Sequence, residues 1–272
     1  MSLRAIPSSM DPAVVAAIDA RLAAVARDER VAIPLAVESG SRAWGFPSPD
    51  SDYDCRFLYI RRVDDYLALF PPRDVIETPL DATLDVNGWD LAKALRLLLK
   101  GNAVVIEWLM SPILYGGDDR LRQSMIALAR RLSDRDLVAR HYLHTGEQQL
   151  KGYLADGDAL PFKKLFYALR PAAALRWLRL HPGEAVPPMH MPDLILEAPA
   201  DVQTIARELI ARKAVTRELG RGALPVPIAD FMRDEFALAR EIFASGRRPA
   251  SQAARSEAQA FFLGALSRYA PS

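Results

Sequence analysis

Glu38-Ser39-Gly40-Ser41-Arg42-Ala43-Trp44-Gly45, followed by Asp52-Tyr53-Asp54, is the stretch whose reading decides the fold of this chain. A tight Gly-Ser turn opening a helix lets backbone N–H groups face a phosphate. Two carboxylates one residue apart on a strand point to the same face, because the side-chain period of a strand is two. There they can hold Mg²⁺ against a triphosphate, since Mg²⁺ takes carboxylate oxygens and substrate phosphates in preference to an all-protein cage.

Upstream, Asp11-Pro12 reads as an N-cap followed by proline at the first helical position, with an Ala/Val/Leu-rich helix to about Asp28. Val31 to Val37 is a buried strand in which Pro34 argues against a central position, or for an edge at that point. A short helix is predicted from Ser41 to near Phe46, then a turn over Pro47-Ser48-Pro49-Asp50-Ser51. Asp52 to Ile60 is the second strand. Tyr53, Cys55, Phe57 and Tyr59 share one face; Asp52, Asp54 and Arg56 share the other. Short strands follow at Val75 to Thr78 and Thr83 to Asn87, where Leu84 and Val86 face the core and Asp85 faces the opposite way. Asp90 caps a helix to about Lys100, which Gly101-Asn102 ends. Another helix covers Val104 to Met110, and Pro112 to Tyr115 is a last edge strand.

Beyond Asp118 the pattern is helical, with helices at 118–131, 134–155, 161–180, 199–219, 228–245 and 253–269. Pro171 should kink or split the third, and the Pro-rich stretch from Pro187 to Pro192 is a loop. The expected class is α+β: a core of small mixed sheet and helices over residues 1–125, then a helical domain over 126–272 that closes a nucleotide cleft.

The formal net charge of +1 over 272 residues gives no global basic field for nucleic acid or membrane. No apolar run reaches the length of a membrane helix. Cys55 is the single cysteine, so no disulfide framework forms within the chain, as in a reducing cytoplasm. Residues 1–10 lack the basic segment and apolar core of a secretory leader, which also leads to a cytoplasmic expectation.

Phosphoryl transfer with two metal ions needs three carboxylates. Asp52 and Asp54 supply two, and Asp85, on an adjacent strand pointing the same way, is the third candidate. Asp81 and Asp90 are weaker, Asp81 because it precedes the strand and Asp90 because it already caps a helix. Arg42 either neutralises the carboxylates or touches phosphate, or else pairs with Glu38. Bland roles suit the rest. Trp44 packs more readily than it stacks on a base, Cys55 is an inert core residue, and His141 and His144 have no third ligand nearby. Arg240, Arg247, Arg248 and Arg255 read as a solvated face.

Gly40-Ser41, a spacer, Asp52-x-Asp54 and a later strand Asp resemble the signature of the DNA polymerase β-like nucleotidyltransferase superfamily. The wider wording Glu38 to Phe46, Ser48 to Phe57 and Asn87-Gly88-Trp89-Asp90-Leu91-x-Lys93-Ala94-Leu95 is similar to its YcgL-type branch, which includes RNA-ligase-associated proteins of RNA repair. The likeness extends through Phe162 to Pro171. It implies transfer of a nucleoside monophosphate from an NTP to a hydroxyl, with an RNA end as acceptor and pyrophosphate released. It further implies two Mg²⁺ or Mn²⁺ ions on Asp52, Asp54 and Asp85, and phosphates on Gly40 and Ser41. Lys164, with Lys163 as alternate, Tyr167 and Arg170 would reach the triphosphate from the helical domain. The rival is a non-catalytic nucleotide- or RNA-binding module of the same fold.

Overall fold

The Asp11 carboxylate accepts a hydrogen bond from the Ala13 N–H at 2.8 Å, so helix α1 (Pro12–Asp28) starts where its cap and proline place it. The structure is a computed structural model describing residues 3–79, 83–154, 160–216, 220–243 and 249–272. Asp81, Arg247 and Arg248 lie outside the described residues.

After α1 come β1 (Ala32–Glu38), α2 (Gly40–Ala43), β2 (Tyr53–Ile60), α3 (Val63–Leu67), β3 (Val75–Glu77) and β4 (Leu84–Asp90). Then follow α4 (Leu91–Leu98), α5 (Ala103–Met110), β5 (Leu114–Gly117), α6 (Asp119–Leu132) and α7 (Arg135–Leu154). The chain continues through β6 (Leu160–Pro161), α8 (Phe162–Leu180), α9 (Met191–Leu194), a 3₁₀ turn (Ile195–Glu197) and α10 (Ala200–Val215). It closes with β7 (Arg221–Gly222), α11 (Val226–Ile242) and α12 (Gln252–Tyr269).

Five strands form one mixed sheet in the order β3-β4-β2-β1-β5, with β2 and β4 parallel and the other pairs antiparallel. The fold is thus mixed α/β, a small sheet followed by helices. The alternation read in β2 is what the two faces show. Tyr53, Cys55, Phe57 and Tyr59 pack with Val15, Ile18 and Val25 of α1. Leu58 and Ile60 join a second cluster with Leu35, Leu91 and Leu95, continuous with Leu165, Phe166 and Phe236 of the helical half. This second face is apolar toward the end of β2 and polar at its start, where Asp54 and Arg56 lie.

Both prolines read as disruptive sit within regular elements. Strand β1 is flanked on both sides, by β2 and β5, despite Pro34. The register slips between Ala32 and Leu35, and that irregularity absorbs the missing N–H. Of the kink or split expected at Pro171, the split does not occur: α8 runs unbroken from Phe162 to Leu180. Gly146 of α7 lies against it, and a Cβ there would meet Pro171 Cβ at 3.0 Å and the Phe236 ring at 2.7 Å. The sequence reading also left α3, the β6–β7 pair and α9 unassigned. The outer side of β5 is covered by the N-terminal segment, where Ala5 and Leu114 exchange hydrogen bonds of 2.9 and 2.8 Å. Among the described residues no helix is long and apolar enough to cross a membrane.

Candidate active site

The Ser39 N–H donates to the Asp54 carbonyl at 2.8 Å and ties the turn after β1 to the start of β2. Gly40 has φ +63°, a left-handed conformation that glycine adopts without strain. A Cβ at Gly40 would lie 2.1 Å from Asp54 Oδ2, so glycine is required twice over, for its backbone and for its closeness to the carboxylate. The Ser41 hydroxyl donates to Ser51 Oγ at 2.9 Å, which also accepts from the Ser48 N–H at 2.9 Å. Ser41 therefore braces the turn that follows. Arg42 donates from Nε to the Asp52 carbonyl at 3.1 Å and from Nη2 to the Ser51 carbonyl at 2.6 Å, and its guanidinium lies 3.9 Å from the Tyr53 ring centroid. Its observed work is to fix the backbone that carries Asp52.

Parallel pairing of β2 with β4 sets Asp54 beside Asp85 in register. Arg56, two residues along the same face, donates from Nη2 to Asp85 Oδ2 at 2.6 Å and to Asp54 Oδ1 at 3.3 Å. The Asn87 amide donates to Asp85 Oδ1. Asp52 is exposed just before the strand. Burial, with the like charges of Asp85 and Asp52, pushes the Asp54 carboxyl above its ordinary value, against the pull of Arg56. Among the described residues no three His, Cys, Asp or Glu side chains are drawn together closely enough to enclose a metal ion. Asp90 instead caps α4, accepting from the Ala92 N–H at 2.7 Å, and takes the Tyr66 hydroxyl at 2.8 Å.

Glu38, at the end of β1, is fully buried. Its Oε1 accepts from the Asp54 N–H at 2.9 Å and its Oε2 from the Tyr115 hydroxyl. Burial raises its carboxyl to about 8, so it is held neutral in the fold at pH 7. The folded chain therefore binds a proton that the unfolded chain has released, and stability falls as pH rises from about 4.5 to about 8. Glu38→Gln removes the titrating carboxyl: its carbonyl still accepts from the Asp54 N–H, while its amide reverses the bond to Tyr115 by donating to the hydroxyl. Denaturation series at pH 5 and pH 8 are expected to show a flatter pH dependence in the variant; an unchanged slope would refute the assignment.

From the helical side, Tyr167 of α8 packs edge-on to Trp44 at 5.7 Å, and the charges of Asp54 and Asp52 reach its hydroxyl. Arg170 is buried, donating to Glu107 Oε1 at 2.7 Å and lying 4.2 Å from the Trp44 ring centroid. Trp44 donates its indole N–H to Glu107 Oε2 at 3.3 Å. These groups, with His141, Tyr142 and Gln149, line a cavity of about 220 Å³ between the two halves. Burial lowers the His141 pKa, so the ring faces the cavity neutral. Lys164 is exposed on the same helix as Tyr167. Arg240 pairs with Glu147 at 2.7 Å, and Arg255 borders a separate cavity with Arg96 and Lys100.

Removing one member of a buried ion pair leaves an uncompensated charge, which costs about 3–5 kcal/mol. Arg170→Leu is expected to lose stability on that scale in chemical denaturation, and the Glu107→Leu/Arg170→Leu double variant to lose less. A double variant as unstable as the sum of its two singles would show that the residues do not act as a pair.

Sequence reasoning passed over two buried charges here. Glu107 and Lys213 lack any local pattern that marks them. Lys213 of α10 is buried with Nζ donating to the Phe46 carbonyl, 4.7 Å from the Phe46 ring centroid, and so ties the helical half to the end of the Gly40 turn. The start of α9, within the stretch read as a Pro-rich loop, does the same through the Met191 N–H to the Trp44 carbonyl at 2.8 Å. Arg56 was legible by parity as a neighbour of the carboxylates, though its bridging role was not.

A family model described as RNA repair pathway DNA polymerase beta family, RlaP, matches residues 14–263. The chain is 39% identical over 207 residues to the uncharacterized protein YcgL of Bacillus subtilis (strain 168), spanning 75% of this chain and 78% of that protein. The crystal structure of a nucleotidyltransferase-like protein from Exiguobacterium sibiricum 255-15 aligns over 93% of this chain and 89% of its own, at 14% identity and a TM-score of 0.32. With its sequence matched from α1 into α12 and its carboxylate-bearing strands paired in register, the chain belongs to the RNA repair pathway DNA polymerase β family.

Proposed function

We propose that this protein transfers a nucleoside monophosphate from a nucleoside triphosphate to a hydroxyl acceptor, an RNA end being the acceptor that the family's description favours. The observation that carries the reading is the Gly40 turn set against Asp54, with Asp85 beside it in register. The donor set fits a hard divalent cation: it offers only carboxylate oxygens, and Asp54 Oδ2 faces a turn where any Cβ would intrude. Asp52 and Asp54 would hold Mg²⁺ or Mn²⁺, with Asp85 beside them.

When bound, such an ion supplies positive charge to the triphosphate and lowers the pKa of a coordinated hydroxyl. The protein does the rest by placement. The Gly40 turn receives phosphate oxygens on its backbone, and Arg42 keeps Asp52 at the entrance. Asp85, oriented by Arg56 and Asn87, accepts the proton of the acceptor hydroxyl. The hydroxyl oxygen bonds to the α-phosphorus, the bond to the β-phosphate oxygen breaks, and pyrophosphate leaves. The cavity beside Trp44 and Tyr167 would take the nucleoside end, with exposed Lys164 on the same helix.

The test is label transfer. The protein is incubated with Mg²⁺ or Mn²⁺, each α-labelled NTP in turn and a mixed RNA pool, beside the Asp52→Asn/Asp54→Asn variant. Label on RNA with wild type only is the expected result and names the base. Label on the protein itself would make the acceptor a side chain. NTP binding without transfer to either would leave a small-molecule acceptor or a non-catalytic binding module.

A further inference from the structure

We propose that Arg56 stands where a second metal ion would otherwise sit, so that this site works with a single divalent ion on Asp52 and Asp54. The inference rests on the nucleotidyl-transfer reading above and specifies how many ions that site takes.

Arg56 is not a surface cation that happens to approach two carboxylates. Its side chain is 18% exposed, and Asp54 and Asp85 are each 28% exposed. Nη1 donates to two backbone carbonyls, Asp85 at 2.8 Å and Cys55 at 3.0 Å. Nη2 donates to Asp85 Oδ2 at 2.6 Å and reaches Asp54 Oδ1 at 3.3 Å. The guanidinium is thus anchored to the two parallel strands themselves, one carbonyl from each. Swinging it aside would break four contacts and leave partly desolvated acceptors unpaired.

A guanidinium spreads its donors in a rigid fork, so it sets one fixed positive charge between the two carboxylates. The other Asp85 oxygen is also engaged, by the Asn87 amide. Both oxygens of Asp85 therefore have protein donors, which leaves this carboxylate less open to enclosing an ion. Asp54 is different. Its Oδ1 faces Arg56, while its Oδ2 faces the Gly40 turn, with exposed Asp52 two residues away. Two carboxylates leave most of an octahedral Mg²⁺ shell to water and phosphate oxygens, the division that ion prefers.

The experiment counts ions. Mn²⁺ bound per chain is measured by electron paramagnetic resonance, with a non-hydrolysable α,β-methylene NTP analogue at saturation, for wild type, Arg56→Ala and Arg56→Lys. Wild type is expected to bind one Mn²⁺ per protein–nucleotide complex. Arg56→Ala should rise to two, and Arg56→Lys, which keeps the charge, should stay at one. Two ions in wild type would overturn the inference while leaving the transfer reading intact, and so would a count of one in Arg56→Ala shown to be folded by circular dichroism. If Arg56→Ala does not fold, the wild-type count alone decides. A chain that binds neither Mn²⁺ nor the analogue would take down the transfer reading itself.

Discussion

Asp54→Asn is expected to lower nucleotidyl transfer on the order of 10³-fold, the upper range for removing one group that stabilises transition-state charge. The fold should survive. The Asp54 N–H still reaches Glu38 and its carbonyl still accepts from Ser39, since both bonds are made by backbone. Burial and the charges of Asp52 and Asp85 already disfavour the ionised carboxyl, so a neutral amide of the same shape costs the free protein little. The measurement pairs the turnover rate with the denaturation midpoint. A large loss of rate at constant stability is the predicted outcome. Equal transfer by the variant would remove Asp54 from the site.

Gly40→Ala should do comparable damage by another route. Alanine at φ +63° is strained, and its Cβ would stand 2.1 Å from Asp54 Oδ2. The left-handed conformation alone costs about 1–3 kcal/mol, and the clash forces either the turn or the carboxylate to move. Misplacement of about 1 Å at a reacting centre costs roughly 10²-fold in rate. The variant is therefore expected to lose both stability and activity, with nucleotide affinity falling too. Alanine tolerated without loss of nucleotide binding would mean that the turn is not where the phosphates sit.

What the sequence could disclose, and what it could not, follows from the range of the interactions involved. The β2 alternation is a period-two signal within eight residues, and it correctly separates Tyr53, Cys55, Phe57 and Tyr59 from Asp54 and Arg56. Parity on a second short strand gave the face of Asp85, while its pairing with Asp54 is a property of the assembled sheet. The caps Asp11 and Asp90 act on neighbours two residues away and mark their helices directly, whereas Asn102, read only as the end of α4, also caps α5. Pro34 misleads because whether a proline disrupts a sheet depends on register, and the slip that tolerates it is a property of the paired strands. The Glu107–Arg170 pair joins residues 63 apart, and the Lys213 contact with Phe46 joins residues 167 apart. Their geometry exists only once α8 and α10 have packed. The resemblance assigns Arg170 to phosphate; in the fold its guanidinium lies with Glu107 and Trp44.

An anomalous-scattering map of crystals grown with Mn²⁺ and a non-hydrolysable NTP analogue locates ion and nucleotide together. Mn²⁺ is expected on Asp52 and Asp54, with the triphosphate against the Gly40 turn. Nucleotide bound elsewhere, or Mn²⁺ away from Asp54, would contradict the transfer reading.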